Sequence, residues 1–123
     1  VQGKTEAGAQ KLIEDALAIQ EAGAFAVVLE CIPAKLADMI TKKLDIPTIG
    51  IGAGAGCDGQ ILVYQDMLGL FSEYTPKFVK HFAELGGAMK EAFQAYDREV
   101  KAGSYPAPEH TFKIDDDVLE KLY

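Results

Sequence analysis

The sequence predicts an α/β fold built on parallel strands. Two short runs, 24–29 and 47–52, are apolar without alternation, as strands covered by helices read in a parallel sheet. Helical periodicity precedes the first run and separates the two, giving the order helix, strand, helix, strand. Glycine or proline stands at nearly every junction, where the chain must stop or turn.

Residues 5 to 22 read as the first helix. Ala9, Leu12, Ile13, Ala16 and Leu17 recur at steps of one, three or four and make one apolar face. Thr5 serves as N-cap, Glu6 suits the positive end of the helix dipole, and Gly23 marks the stop. The run Ala24 to Leu29 follows as a strand buried on both faces and ends at Glu30-Cys31-Ile32-Pro33. Pro33 opens a second helix over 34–44, with Leu36, Met39, Ile40 and Leu44 on one face.

Pro47 to Gly52 reads as the second buried strand and runs into a small-residue loop through Gly59. Residues 60–64 (Gln-Ile-Leu-Val-Tyr) fit a third strand, since Ile, Val and Tyr favour strands. Residues 66–74 read as a loop or broken helix. From 76 to 102 the pattern is one long helix, with Thr75 and Pro76 at its start, Gly103 at its stop, and Phe78, Phe82 and Phe93 in a core stripe. Residues 104–123 carry Pro106, Pro108 and the acidic cluster Asp115 to Asp117, and read as an extension. The domain reading is therefore 1–103 as one α/β portion and 104–123 as a tail.

Composition narrows the function. Lys plus Arg is 12 against 19 for Asp plus Glu, a net charge of −7, which argues against a nucleic-acid partner. Hydrophobic residues at 49% exclude a largely disordered chain. The longest apolar run, Ala22 to Leu29, falls far short of the roughly 20 residues of a spanning helix, so no membrane partner is expected. Two cysteines, Cys31 and Cys57, make no disulfide scaffold, which fits a reducing cytoplasm. The chain begins with Val1 rather than Met, and a fragment or processed product is expected. Two or three buried strands cannot cover their own edges, so they belong to a larger sheet.

In parallel α/β folds the chemistry lies at the carboxyl ends of the strands. Glu30 stands at that end of the clearest strand, behind seven residues that are all non-polar. Partial desolvation there would raise its pKa and suit it to proton abstraction. A second reading fits the spacing equally: Glu30 caps the next helix or pairs with Lys35. The alternating glycines from Gly50 to Gly56 either let backbone N–H groups approach an anion or form a tight turn at a crowded rim. The tract lacks both the dinucleotide fingerprint and the Lys-Ser/Thr of a P-loop.

Asp58 and Asp66 either hold a polar substrate group or fix turns, the structural role being favoured. His81 and His110 have no partner at ligand spacing and read as non-catalytic. Cys31 and Cys57 lack a nearby histidine and make weak nucleophile candidates.

Taken in order, Val1 to Thr5, Gly23 to Pro33, Ile46 to Gly54, Cys57 to Gln60, Asp66 to Leu70, Pro76 to Phe78 and Pro108 to His110 closely resemble the C-terminal part of the 3-methyl-2-oxobutanoate (ketopantoate) hydroxymethyltransferase family. The resemblance extends to about Phe112. It implies the C-terminal part of a (β/α)₈ TIM barrel, about three parallel strands with flanking helices, where a whole barrel takes about 250 residues. It also implies transfer of a one-carbon unit from 5,10-methylenetetrahydrofolate to 3-methyl-2-oxobutanoate, giving 2-dehydropantoate for pantothenate synthesis. Mg²⁺ is the implied metal, chelated by the oxo acid and stabilising its enolate, and a homo-oligomer, often a decamer, is the implied assembly.

The resemblance makes Glu30 the catalytic base, through the Leu-Glu-Cys motif. It puts the metal-binding aspartates and an oxo-acid-contacting lysine in an N-terminal half outside these 123 residues, so no metal ligand is assigned within the chain. Gln65 departs from the histidine many members carry before Asp66. The Gly50–Gly56 loop is expected to shape the rim where the folate enters. Two other functions compete: a related oxo-acid lyase or mutase barrel, which needs no folate, and an inert fragment or binding module. In either of the latter two cases, as for the chain alone, no hydroxymethyl transfer is expected.

Overall fold

The chain passes through α1 (Glu6–Glu21), β1 (Val27–Glu30), α2 (Ala34–Lys43), β2 (Thr48–Ile51), β3 (Gly59–Gln60), α3 (Tyr64–Met67), α4 (Leu85–Ala102) and α5 (Asp116–Leu119). Short 3₁₀ turns occupy Pro108–His110 and Glu120–Leu122. This is a computed structural model, and it describes residues 1–70 and 73–122. The chain divides into two compact units, Val1–Ala83 and Glu84–Tyr123.

The first unit is a three-stranded sheet in the order β1-β2-β3, parallel throughout. Val27 lies opposite Thr48 and Glu30 opposite Ile51, so Glu30 and Gly52 stand at the same end, as the two apolar runs predict. β1 buries alternate residues. Val27 and Leu29 join Ala16 of α1 and Leu36, Ala37 and Ile40 of α2 in the core, with Ile32 and Ala53 completing it. Burying a leucine or isoleucine side chain contributes about 1.5–3 kcal/mol, so this small cluster carries much of the unit's stability.

The expectation of a strand buried on both faces is corrected here. Val28 is 54% exposed and Phe25 lies outside the strand, 91% exposed. The helices cover one face only, because α1 and α2 both pack on the side of Val27 and Leu29. On the opposite face Val28 and Glu30 are exposed, and Ile49 and Ile51 are only partly buried.

Local chemistry sets the helix ends. Thr5 Oγ1 accepts from the Gly8 amide at 3.1 Å and caps α1. Gln20 Oε1 accepts from the amides of Asp45 and Ile46, at 2.6 and 3.1 Å. That side chain ties the end of α1 to the turn between α2 and β2 and satisfies two backbone donors after the second helix.

Two further expectations differ from the structure. The third strand is only Gly59–Gln60, extended by the Ile61 amide donating to the Gly50 carbonyl at 3.0 Å. Residues 62 and 63 leave the ladder, because Val63 stands at the N-cap position of α3, whose first residue is Tyr64. The expected loop over 66–74 is met in part by the end of α3 and the turn after it; residues 71 and 72 lie outside the described residues. The long helix begins at Leu85, not Pro76. Pro76 starts a single turn, closed by the Val79 amide at 2.9 Å, and the Phe82 amide then donates to the Met67 carbonyl at 2.8 Å. A bond back to α3 replaces the helical one, so Phe78 and Phe82 are not on the helix face their spacing implies.

The second unit is built on α4, which ends at Gly103 in the left-handed region with φ 72°. Leu85, Met89, Phe93, Tyr96 and Val100 follow the expected stripe and are all exposed. Tyr105 stacks obliquely between Tyr96 and His110, with ring centroids 5.6 and 5.1 Å away.

Candidate active site

β1 and β2 deliver Glu30 and Ile51 side by side to the carboxyl end of the sheet. Residues opposite each other in a parallel pair share a face, and alternate residues along a strand share it too. Glu30 therefore stands with Val28 and Ile51 on the face away from the helices. Its neighbours on that face are apolar, and its carboxylate is open to whatever occupies the far side.

Neither structural alternative for Glu30 forms among the described residues. The N-cap of α2 is Pro33, with no side-chain cap bond. Ion pairs four apart on helices join Lys11 to Asp15, Lys42 to Asp38 and Lys101 to Asp97, and among the described residues none joins Glu30 to Lys35.

The residue after Glu30 has an unusual backbone. Cys31 has φ 52°, and no other described non-glycine residue has a positive φ. Its amide donates to the Ile51 carbonyl at 2.9 Å and its carbonyl accepts from the Gln2 amide at 3.2 Å. The amino-terminal segment thus crosses the end of β1 beside Glu30.

The glycine tract is used against the chain itself. Gly52 has φ 65°, and a Cβ there would stand 2.8 Å from the Phe78 ring. Gly54 has φ 79°, and a Cβ there would occupy the place of the Ala34 methyl at the start of α2. Of the two readings of this tract, the crowded turn is the one these contacts describe. A cavity of about 400 Å³ opens beside it, lined in part by Gly52, Ile61, Met67, Phe78, Lys80 and Phe82. The Lys80 ammonium lies 5.0 Å from the centre of the Phe82 ring.

Asp58 has a structural partner. Its Oδ2 accepts from the Thr48 amide at 2.8 Å, and its own amide donates to Thr48 Oγ1 at 3.2 Å. Thr48 is fully buried and also meets Thr41 Oγ1 at 2.8 Å. Sequence reasoning missed this cluster, because nothing in the local pattern brings residues 41, 48 and 58 together. Of the other candidates, Asp66 sits in α3, His81 Nε2 lies 3.4 Å from Thr75 Oγ1, and His110 Nδ1 accepts from the Ala107 amide at 3.0 Å. Cys31 and Cys57 are free thiols, each partly buried.

Among the described residues no three His, Cys, Asp or Glu side chains form a group that could hold a metal ion. The donors among the described residues do not by themselves fit a Mg²⁺ site. No helix among the described residues is long and apolar enough to cross a membrane.

The family pattern of ketopantoate hydroxymethyltransferase matches residues 1–108. The chain belongs to that family. It is 70% identical over its whole length to a 3-methyl-2-oxobutanoate hydroxymethyltransferase of Clostridium novyi (strain NT) and 66% identical to one of Enterococcus faecalis (strain V583). A Clostridium botulinum (strain Alaska E43) relative of the same name is 62% identical. In each case the match covers 100% of this chain and 45% of the relative. The chain therefore spans less than half the length of these family members. Its three-stranded parallel sheet with flanking helices is the partial-barrel architecture that the family resemblance implies.

Proposed function

We propose that this chain carries the catalytic base of a hydroxymethyltransferase that transfers a hydroxymethyl group from 5,10-methylenetetrahydrofolate to 3-methyl-2-oxobutanoate. The product is 2-dehydropantoate, in pantothenate biosynthesis. The observation that supports this best is Glu30: a carboxylate at the carboxyl end of β1, on the open face of the sheet, held by neither a cap nor a lysine.

Glu30 takes the proton from C3 of the oxo acid, the carbon next to the carbonyl. The electron pair left on C3 forms the new bond to the methylene carbon delivered by the folate. Both C–N bonds of that carbon break, and one molecule of water supplies the hydroxyl oxygen. The C3 proton and the second proton of that water end on the two folate nitrogens as tetrahydrofolate leaves. Val28 and Ile51 flank Glu30 on the open face of the sheet. The Gly50–Gly56 turn forms part of the rim on the folate side.

The remaining parts belong to an N-terminal half. It supplies the other strands of the barrel and the ligands of Mg²⁺, whose chemistry is to stabilise negative charge on the oxo acid. Residues 1–103 are the barrel portion and 104–123 an extension. The working enzyme is a cytoplasmic homo-oligomer, by family resemblance a decamer, with no nucleic-acid or membrane partner.

The test is reconstitution. The chain is produced with the segment that completes the family's length, and 2-dehydropantoate formation is measured with and without the folate. Folate-dependent product is the expected result. Turnover of the oxo acid without folate would move the protein to the lyase or mutase class.

A further inference from the structure

We propose that Cys31 is a positioning residue whose left-handed backbone, rather than its thiol, aims the Glu30 carboxylate. The proposal rests on the reading of Glu30 as the base. Left-handed backbone is uncommon outside glycine, asparagine and aspartate, because Cβ crowds the neighbouring carbonyl oxygen. A residue kept there is held by its surroundings, and such residues gather at functional sites.

At Cys31 the surroundings can be named. The amide is fixed to the Ile51 carbonyl, which makes it the last rung of the β1–β2 ladder, and the carbonyl is fixed by the Gln2 amide. Immediately after it, Ile32 is buried in the core and Pro33 begins the entry to α2. The chain must therefore leave the ladder within one residue and drop Ile32 towards the helices.

The turn at φ 52° does this while Glu30, still in register with Ile51, stays on the opposite face. An ordinary extended residue at 31 would continue the strand past Ile51. Keeping Ile32 buried would then require Glu30 to shift or twist. An error of about 1 Å in the placement of a reacting group can cost roughly 10²-fold in rate. The side chain at 31 needs only to be compact and unbranched at Cβ, which cysteine satisfies.

The experiment uses the enzyme completed to the family's full length. Solvent-deuterium exchange at C3 of the oxo acid reports the base, and oxo-acid affinity is measured separately. Cys31→Asn, which tolerates the left-handed region without a thiol, is expected to stay within about twofold of wild type in both. Cys31→Val, branched at Cβ, is expected to lower exchange roughly 10- to 100-fold with affinity unchanged.

Cys31→Thr, also branched at Cβ, serves if the valine variant does not fold, and its exchange should fall below that of the asparagine variant. Wild-type exchange in Cys31→Val, or a loss in Cys31→Asn equal to that in Cys31→Val, overturns the proposal. Glu30→Gln run alongside separates the two failures: wild-type exchange in that variant removes the base reading itself, and the positioning role with it.

Discussion

Thr48 and Asp58 bind each other reciprocally: the Thr48 amide donates to Asp58 Oδ2 at 2.8 Å, and the Asp58 amide donates to Thr48 Oγ1 at 3.2 Å. The pair closes the loop between β2 and β3. In most parallel sheets a helix makes that crossover. Here seven loop residues do it, and the Thr48–Asp58 lock sets where β3 begins, since Gly59 follows at once and pairs with Ile49. Replacing Asp58 by Ala leaves the buried Thr48 amide without its acceptor. A loss of about 1–3 kcal/mol is expected in urea unfolding of the completed enzyme, and Asp58→Asn, which keeps an acceptor oxygen, should lose less.

The core beneath the sheet gives a second test. Ile40 of α2 is 1% exposed and belongs to the core cluster that includes Val27 and Leu29 of β1. Ile40→Ala removes buried methyl groups and leaves a cavity, with an expected cost of about 2–5 kcal/mol. A change below about 1 kcal/mol in chemical unfolding would contradict the packing described.

Gly54 combines a left-handed backbone, φ 79°, with a Cβ position already filled by Ala34. Gly54→Ala is expected to destabilise by about 1–3 kcal/mol or more, read as a lowered Tm. If the tract instead served an anion through its amides, the variant would lose ligand affinity while its Tm held.

Glu30→Gln keeps the shape of the side chain but cannot accept the proton. In the completed enzyme the expected loss in C3 exchange is on the order of 10² to 10⁴, with oxo-acid binding largely intact. Equal losses in binding and exchange would assign Glu30 to substrate recognition instead.

The 123-residue chain produced alone is expected to be inactive and to self-associate. On the face away from the helices Val28 is exposed and Ile51 only partly buried, and the edges of β1 and β3 carry unpaired backbone groups. Size in solution and thermal unfolding decide it: a monomer with a cooperative transition would show that these strands need no further barrel.

Much of the first unit could be read along the chain, because its signals are local. Thr5, Gly23, Pro33 and Pro47 punctuate α1, β1, α2 and β2 to within a few residues, each through a cap, a turn or a fixed φ that acts over a single helical turn. The place of Glu30 at a strand end was equally legible, since the apolar run and the Pro33 that follows define where β1 stops. Tertiary structure decided what depends on contacts far apart in sequence. Pro76 looks like a helix start, yet the Phe82 amide finds Met67 and the helix waits until Leu85. An apolar run cannot say which of its faces meets a helix, and β1 proved to be covered on one side only. The left-handed turn at Cys31 and the Thr41–Thr48–Asp58 cluster left no local signal. Both arise where separate segments meet, and only the folded chain brings Gln2, Cys31 and Ile51 to one point.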